Sequence, residues 1–207
     1  YESDNAKAIN VIGAADSWIR NISTYKPEGN ATYHILSKGI ILDRTRNITV
    51  DGVTMEYPQY RGANGNGYLY QFIGNDNLIT NSKAVAARHS YTYANFSANG
   101  NVLHNVYSEQ PSLLTDFHMY LSMANLIDGM TLDGDAISAI TRDYGSSETN
   151  RHGVVTTESV FWNTTGLSSH ASKNGIVVES EQFGNGYIIG TKGPVSGVKV
   201  NLSPSIK

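Results

Sequence analysis

RHSYTYANFSANGNVLHNVYSEQPSLLTDFHMYLSMANLIDGMTLDGD, residues Arg88 to Asp135, carries one pattern twice. A histidine opens an apolar or aromatic run, and a small residue followed by Asn then precedes two aliphatic residues. His89 leads to Gly100-Asn101-Val102-Leu103, and His118 leads to Ala124-Asn125-Leu126-Ile127. The two Asn anchors lie 24 residues apart, which marks a structural unit that repeats.

The anchor recurs on both sides of this stretch. Aligned on the residue before an aliphatic or aromatic pair, the copies are Ser17 (SWIRNIS), Asn47 (NITVDGV), Asn77 (NLITNSK), Asn101 (NVLHNVY), Asn125 (NLIDGMT), Ser159 (SVFWNTT) and Gly186 (GYIIGTK). Their spacings are 30, 30, 24, 24, 34 and 27 residues, an irregular period suited to a solenoid of short strands with loop insertions. Alternation after the anchors, as in Ile48, Val50, Val53 or Val102, Val106, has the period of a strand. Clusters of Gly, Asn and Asp separate the copies as turns. No amphipathic helix longer than two turns is visible, and the ambiguous segments Ile35 to Leu42 and Ile137 to Arg142 also fit strands. The prediction is an all-β solenoid of about seven coils, three short strands per coil. Successive coils would stack about 4.8 Å apart, so that equivalent residues form ladders. Asn suits the recurring turn because it tolerates left-handed backbone angles and its amide can bond to the next coil.

Composition narrows the classes. The 207 residues suit one domain over residues 1–207, and the chain, which opens at Tyr1 without an initiator Met, reads as a processed or excised piece of a longer one. Charged residues make up 16% and net charge is −3, which argues against a nucleic-acid partner. No apolar run approaches a membrane span of about 20 residues. Cysteine is absent, excluding disulfides and thiolate metal sites. Sequons at Asn21, Asn30, Asn47, Asn95, Asn163 and Asn201 are candidate glycan acceptors. With the low charge and many small polar residues, they favour an extracellular, secreted or cell-surface setting.

With its coil motifs RNITVDGVTM and GNVLHNVYSE, the chain resembles the pectate-lyase-like superfamily over roughly Ala6 to Val200. The resemblance implies a right-handed parallel β-helix with loop insertions on one side. It also implies secretion and a polysaccharide or glycan partner. It does not select among lyase, hydrolase and adhesive members, because one scaffold hosts several chemistries.

A second alignment, at the strand before each anchor, puts Lys38-Gly39, Asn66-Gly67, Arg88-His89, Phe117-His118, Arg151-His152 and Lys173-Asn174 in equivalent places. His89, His118 and His152 would then form a ladder. Adjacent strand residues face opposite ways, so either the histidines point inward beneath an outward basic strip of Arg88, Arg151 and Lys173, or they form a site. A uronate lyase needs a cation for the sugar carboxylate and a base for the neighbouring ring proton. Lys83, Arg88, Arg151 and Lys173 with the histidines are that inventory, their spacing compatible with one groove. A glycoside hydrolase needs two carboxylates, and Asp116, Asp128, Asp133, Asp135 and Asp143 fall close together in sequence. The Asp133-Gly134-Asp135 triplet also reads as a tight Asx turn or as part of a Ca²⁺ site. The longest insertion, between Asn125 and Ser159, offers Arg142, Asp143, Tyr144 and Arg151 as sugar-binding types. Of the thirteen tyrosines, among them Tyr57, Tyr60, Tyr68, Tyr70, Tyr91, Tyr93, Tyr107 and Tyr120, a minority is expected to join them. A non-enzymatic alternative is an extracellular structural protein that self-associates through open β-helix ends.

Overall fold

The computed structural model describes residues 5–143, 151–194 and 197–200. Among these the chain forms twenty-three strands and no helix. The strands build one fourteen-stranded sheet, one five-stranded sheet and two two-stranded sheets. Every strand pair is parallel except Arg142–Asp143 with Arg151–Gly153, which is antiparallel. No helix is long and apolar enough to cross a membrane.

Parallel pairing places sequentially distant strands side by side. In the fourteen-stranded sheet Trp18, Thr49, Leu78, Val102, Leu126, Val160 and Tyr187 form one continuous row of partners. The neighbouring row, Val50, Ile79, Leu103, Ile127 and Phe161, is buried, as the alternation in each segment requires. Ala84, Val106 and Leu132 face the same core from the region of the five-stranded sheet. Aromatic rings extend the core, Phe72 on Tyr93 at 5.0 Å and Tyr93 on Phe117 at 4.3 Å between centroids. Ile35 to Leu42 contributes to the strand Lys38–Asp51, and Ile137 to Arg142 to the strand Ile137–Ala139.

The residues preceding the Trp18 row are Ser17, Ile48, Asn77, Asn101, Asn125, Ser159 and Gly186. Asn47 is therefore not an anchor. It is exposed within the strand Lys38–Asp51, with φ of 54°, and its Nδ2 donates to Asp16 Oδ1 at 2.9 Å. Ile48 occupies the row, buried, and its N–H donates to Asn77 Oδ1 at 3.0 Å. The segment Asn-Ile-Thr-Val imitates Asn-Leu-Ile-Thr one residue out of step, and in a period-two strand a slip of one residue exchanges the faces.

From Asn77 onward the anchors form a buried polar ladder. Asn101 Oδ1 accepts from Asn77 N and Nδ2, both at 3.0 Å, and Asn125 Oδ1 accepts from Asn101 N at 2.9 Å. Asn101 Nδ2 donates to Gly74 O and Asn125 Nδ2 to Ala98 O, each at 2.9 Å. Ser159 continues the ladder, its Oγ accepting from Asn125 N at 3.3 Å. Asn101→Ala would strand the Asn77 donors and the Gly74 carbonyl together. We expect it to lower unfolding free energy by about 2–4 kcal/mol, since each orphaned buried group costs about 1–3 kcal/mol. Urea unfolding measures this, and a loss below about 1 kcal/mol would mean that water fills the gap.

Turns stack as well. Asn81, Asn105, Gly129, Asn163 and Gly190 all have positive φ at the same level of successive repeats. The N–H of Asn81 donates to His104 O, that of Asn105 to Asp128 O and that of Gly129 to Trp162 O.

Candidate functional site

The strand His89–Tyr93 lies between Tyr68–Asn75 and Thr115–Phe117. An open cleft of about 720 Å³ lies beside them, walled by Asn64, Gly65, Tyr68, Arg88, His89, Leu113, Leu114, His118, Ser138, Ile140, Arg142, His152, Ser172 and Lys173. The three histidines predicted to share a place do meet, with ring centroids 6.1 Å apart for His89 and His118 and 4.8 Å for His118 and His152.

They do not meet as a ladder. His89 pairs with Tyr68, whereas the backbone N–H of His118 donates to Tyr93 O, four residues beyond His89. His152 arrives on the antiparallel strand Arg151–Gly153. The predicted opposition of Arg88 and His89 also fails, since both line the cleft. Alternation does not reach Arg88, because the strand begins at His89 and the preceding segment turns through Ala86 at φ 54°.

Asp116 is the buried centre of the site. Its Oδ2 lies 2.9 Å from His118 Nδ1 and 3.0 Å from Arg142 Nη2, and its Oδ1 lies 3.6 Å from His89 Nδ1. Burial alone would raise the Asp116 carboxyl, but His89, Arg142 and His118 outweigh it and hold it far below the usual carboxylate range. His89 is buried and lies 2.6 Å from Leu114 O through Nδ1. A carbonyl can only accept, so Nδ1 carries the proton and Nε2 the lone pair. Burial lowers the His89 pKa, so the ring is neutral at pH 7 despite Asp116 and the Leu114 carbonyl. Burial also lowers that of His152, reinforced by His118 and Arg142.

The Nδ1 of His118 is contested, because Arg142 Nη1 lies 3.2 Å from it. The shorter contact, to an ionised oxygen, decides: Nδ1–H donates to Asp116, a charge-assisted bond, and Nε2 keeps its lone pair. The side chain of His118 is 24% exposed, against 5% for His89. A buried carboxylate orienting a partly exposed imidazole is a general-base arrangement.

The predicted cations divide. Arg88, Arg142 and Lys173 line the cleft. Lys173 is ion-paired to the buried Glu179. Lys83 is absent from the lining: it sits on the five-stranded sheet, 2.9 Å from Glu109 and over the Tyr107 ring, and the Glu109 hydrogen bond raises its pKa. The proposed single groove thus loses Lys83. Asp143 and Arg151 pair through their backbones, and Tyr144 and Asn201 lie outside the described residues.

The predicted carboxylate cluster does not form. Asp116 is at the cleft, Asp128 ends the strand Leu126–Asp128, and Asp133 ends Thr131–Asp133 in the five-stranded sheet. Asp133 accepts from Tyr107 Oη at 3.3 Å and from Ser168 Oγ. Asp135 is buried, accepting from Ser108 Oγ at 2.6 Å, Thr115 Oγ1 at 2.8 Å, Thr115 N at 3.0 Å and Ala136 N at 2.7 Å. Burial raises its pKa even against these donors. Both its oxygens are consumed by structure, so Asp133-Gly134-Asp135 makes neither an acid–base pair nor a Ca²⁺ site. The physical reason is the turn, which sends the two carboxylates to opposite sides of the wall. Among the described residues no group of three or more His, Asp or Glu side chains converges to hold a metal.

Of the sequons, Asn21, Asn47 and Asn163 are exposed, while Asn30 and Asn95 are half-buried. Tyr68, singled out by nothing more than its type, proves central: it is 4% exposed, edge-on to His89 at 4.8 Å and beneath the Arg88 guanidinium at 5.8 Å. Glu179 is a site residue that the sequence reading missed; its one signal is a charge directly after the apolar run Ile176-Val177-Val178. Comparison with protein-family models, with curated proteins and with solved structures returns no match.

Proposed function

We propose that the chain is a secreted right-handed parallel β-helix of about seven coils that binds an acidic polysaccharide in this cleft and cleaves it by β-elimination. One observation carries the reading. The described lining of the cleft contains three cations and three histidines and no carboxylate. Such a surface suits an anionic saccharide. It also favours a lyase over a glycoside hydrolase, whose mechanism needs two carboxylates beside the scissile bond. Asp116 is not one of them, being fully buried and ion-paired to Arg142.

His118 is the base in this mechanism. Asp116 orients the ring, and the Nε2 lone pair takes the proton from the carbon beside the sugar carboxylate. The electron pair released forms a carbon–carbon double bond, and the glycosidic oxygen leaves with its bonding pair and acquires a proton. Cationic neighbours stabilise the negative charge that develops on the carboxylate. Parallel stacking with recurring Asn turns supports the β-helix reading and the pectate-lyase-like resemblance. Exposed sequons and low charge support secretion.

Incubation with pectate, alginate, other uronate polymers and neutral glucans tests the function. Unsaturated products absorbing in the ultraviolet are expected from a uronate polymer and not from neutral glucans. New reducing ends without unsaturation would assign hydrolysis instead, binding without products a purely adhesive role, and neither binding nor products would end the reading.

A further inference from the structure

We infer that Arg88 is the residue that recognises the carboxylate of the bound saccharide, and so sets the preference for acidic over neutral sugars. This rests on the cleft reading above and goes further by assigning the recognition to one of three cations.

The assignment follows from what each cation already does. Arg142 is 3.0 Å from Asp116 Oδ2, and Lys173 is ion-paired to Glu179. Both charges are neutralised within the protein. Arg88 forms no ion pair among the described residues, and its Nη1 is buried without a hydrogen-bond partner. A guanidinium nitrogen withdrawn from water normally has a partner. Here the wall supplies a ring, with the Arg88 guanidinium 5.8 Å from the centroid of Tyr68, which steadies a cation without neutralising it. Arg88 is only half-buried and lines the cleft, where a bound ligand can supply the counter-charge.

The backbone is shaped for this placement. Arg88 N–H donates to Gly67 O at 2.8 Å. Gly67 has φ of 72°, and a Cβ there would come within 3.0 Å of Arg88 Cβ. Glycine at 67 is what lets the Arg88 side chain lie against the wall. A planar guanidinium fork matches the two coplanar oxygens of a carboxylate, and one unneutralised charge matches a single monovalent group.

The test measures binding of trigalacturonate and of its neutral methyl ester to the intact chain by calorimetry. Arg88→Gln, Arg88→Lys and Lys83→Gln are compared, with folding checked by thermal unfolding. Arg88→Gln and Lys83→Gln each remove one positive charge from a chain of net charge −3, so Lys83→Gln controls for long-range attraction. The wild type is expected to prefer the acid at least about tenfold, the scale of a desolvated charge pair. Arg88→Gln should abolish the preference, Arg88→Lys should retain part of it and Lys83→Gln should leave it intact. Should Arg88→Gln fail to fold, Arg88→Lys carries the test by a reduced preference.

A preference undiminished in the residue-88 variants, or one lost equally in Lys83→Gln, overturns the assignment while leaving the cleft reading standing. A wild type that binds neither sugar overturns both. A sulfated trisaccharide bound as tightly as the uronate would overturn the carboxylate specificity.

Discussion

Asp116→Ala is expected to destabilise the fold by about 3–5 kcal/mol, the cost of breaking a buried ion pair from one side. The substitution removes little volume, so the loss comes from charge. Arg142, with a side chain only 11% exposed, would lose the oxygen 3.0 Å from its Nη2, and His118 would lose the acceptor at 2.9 Å. The pH dependence gives a second readout. His89 has a depressed folded pKa, so below the unfolded value of about 6.5 the unfolded chain binds more protons and stability falls with pH. Asp116 is depressed too, so its contribution is full above the unfolded value of about 3.9 and is lost as pH falls further. In Asp116→Ala the second loss should vanish. The first should steepen, because Asp116 raises the His89 pKa in the wild type. Urea midpoints across pH 3 to 8 measure both effects. An unchanged midpoint at pH 7 would mean that the carboxylate is not the counter-charge of Arg142.

His118→Gln is expected to lower the rate of uronate cleavage by about 10²- to 10⁴-fold, the usual contribution of a positioned general base. Gln can still donate one hydrogen bond to Asp116, and the position is partly open to solvent, so the unfolding midpoint should hardly move. Binding of uronate should persist, because the predicted carboxylate contact lies at Arg88. Loss of turnover with fold and binding intact identifies a base. A variant that keeps activity within about tenfold of wild type would exclude His118 from the proton transfer.

The separation between these two positions was partly legible in the amino-acid order. Asp116 and His118 were both recognisable as chemistry-bearing residues, two apart. Their spacing says that their side chains share a side of an extended segment. It says nothing about Arg142, which reaches the same carboxylate from 26 residues further along the chain. The difference between Asp116 and Asp135 was not legible either. Both are buried aspartates, but one faces cations and the other hydroxyls and backbone N–H groups. That contrast holds the first ionised and engages the second in structure.

Local periodicity by itself determined that the described part of the chain is all-β, without a helix. Alternation, turn residues and the recurring anchors depend on the pleat and on backbone angles, which neighbouring residues control. Six of the seven anchors in the row next to Trp18 follow from that logic; Asn47 missed it by one residue. Only the tertiary structure decided which residues share the cleft. Three histidines come together there from different registers and strand directions, two cations are neutralised by buried acids, and one lining arginine has no ion pair among the described residues. Side-chain reach across stacked strands is set by register and by where each strand begins, and a one-residue shift in either exchanges wall for interior.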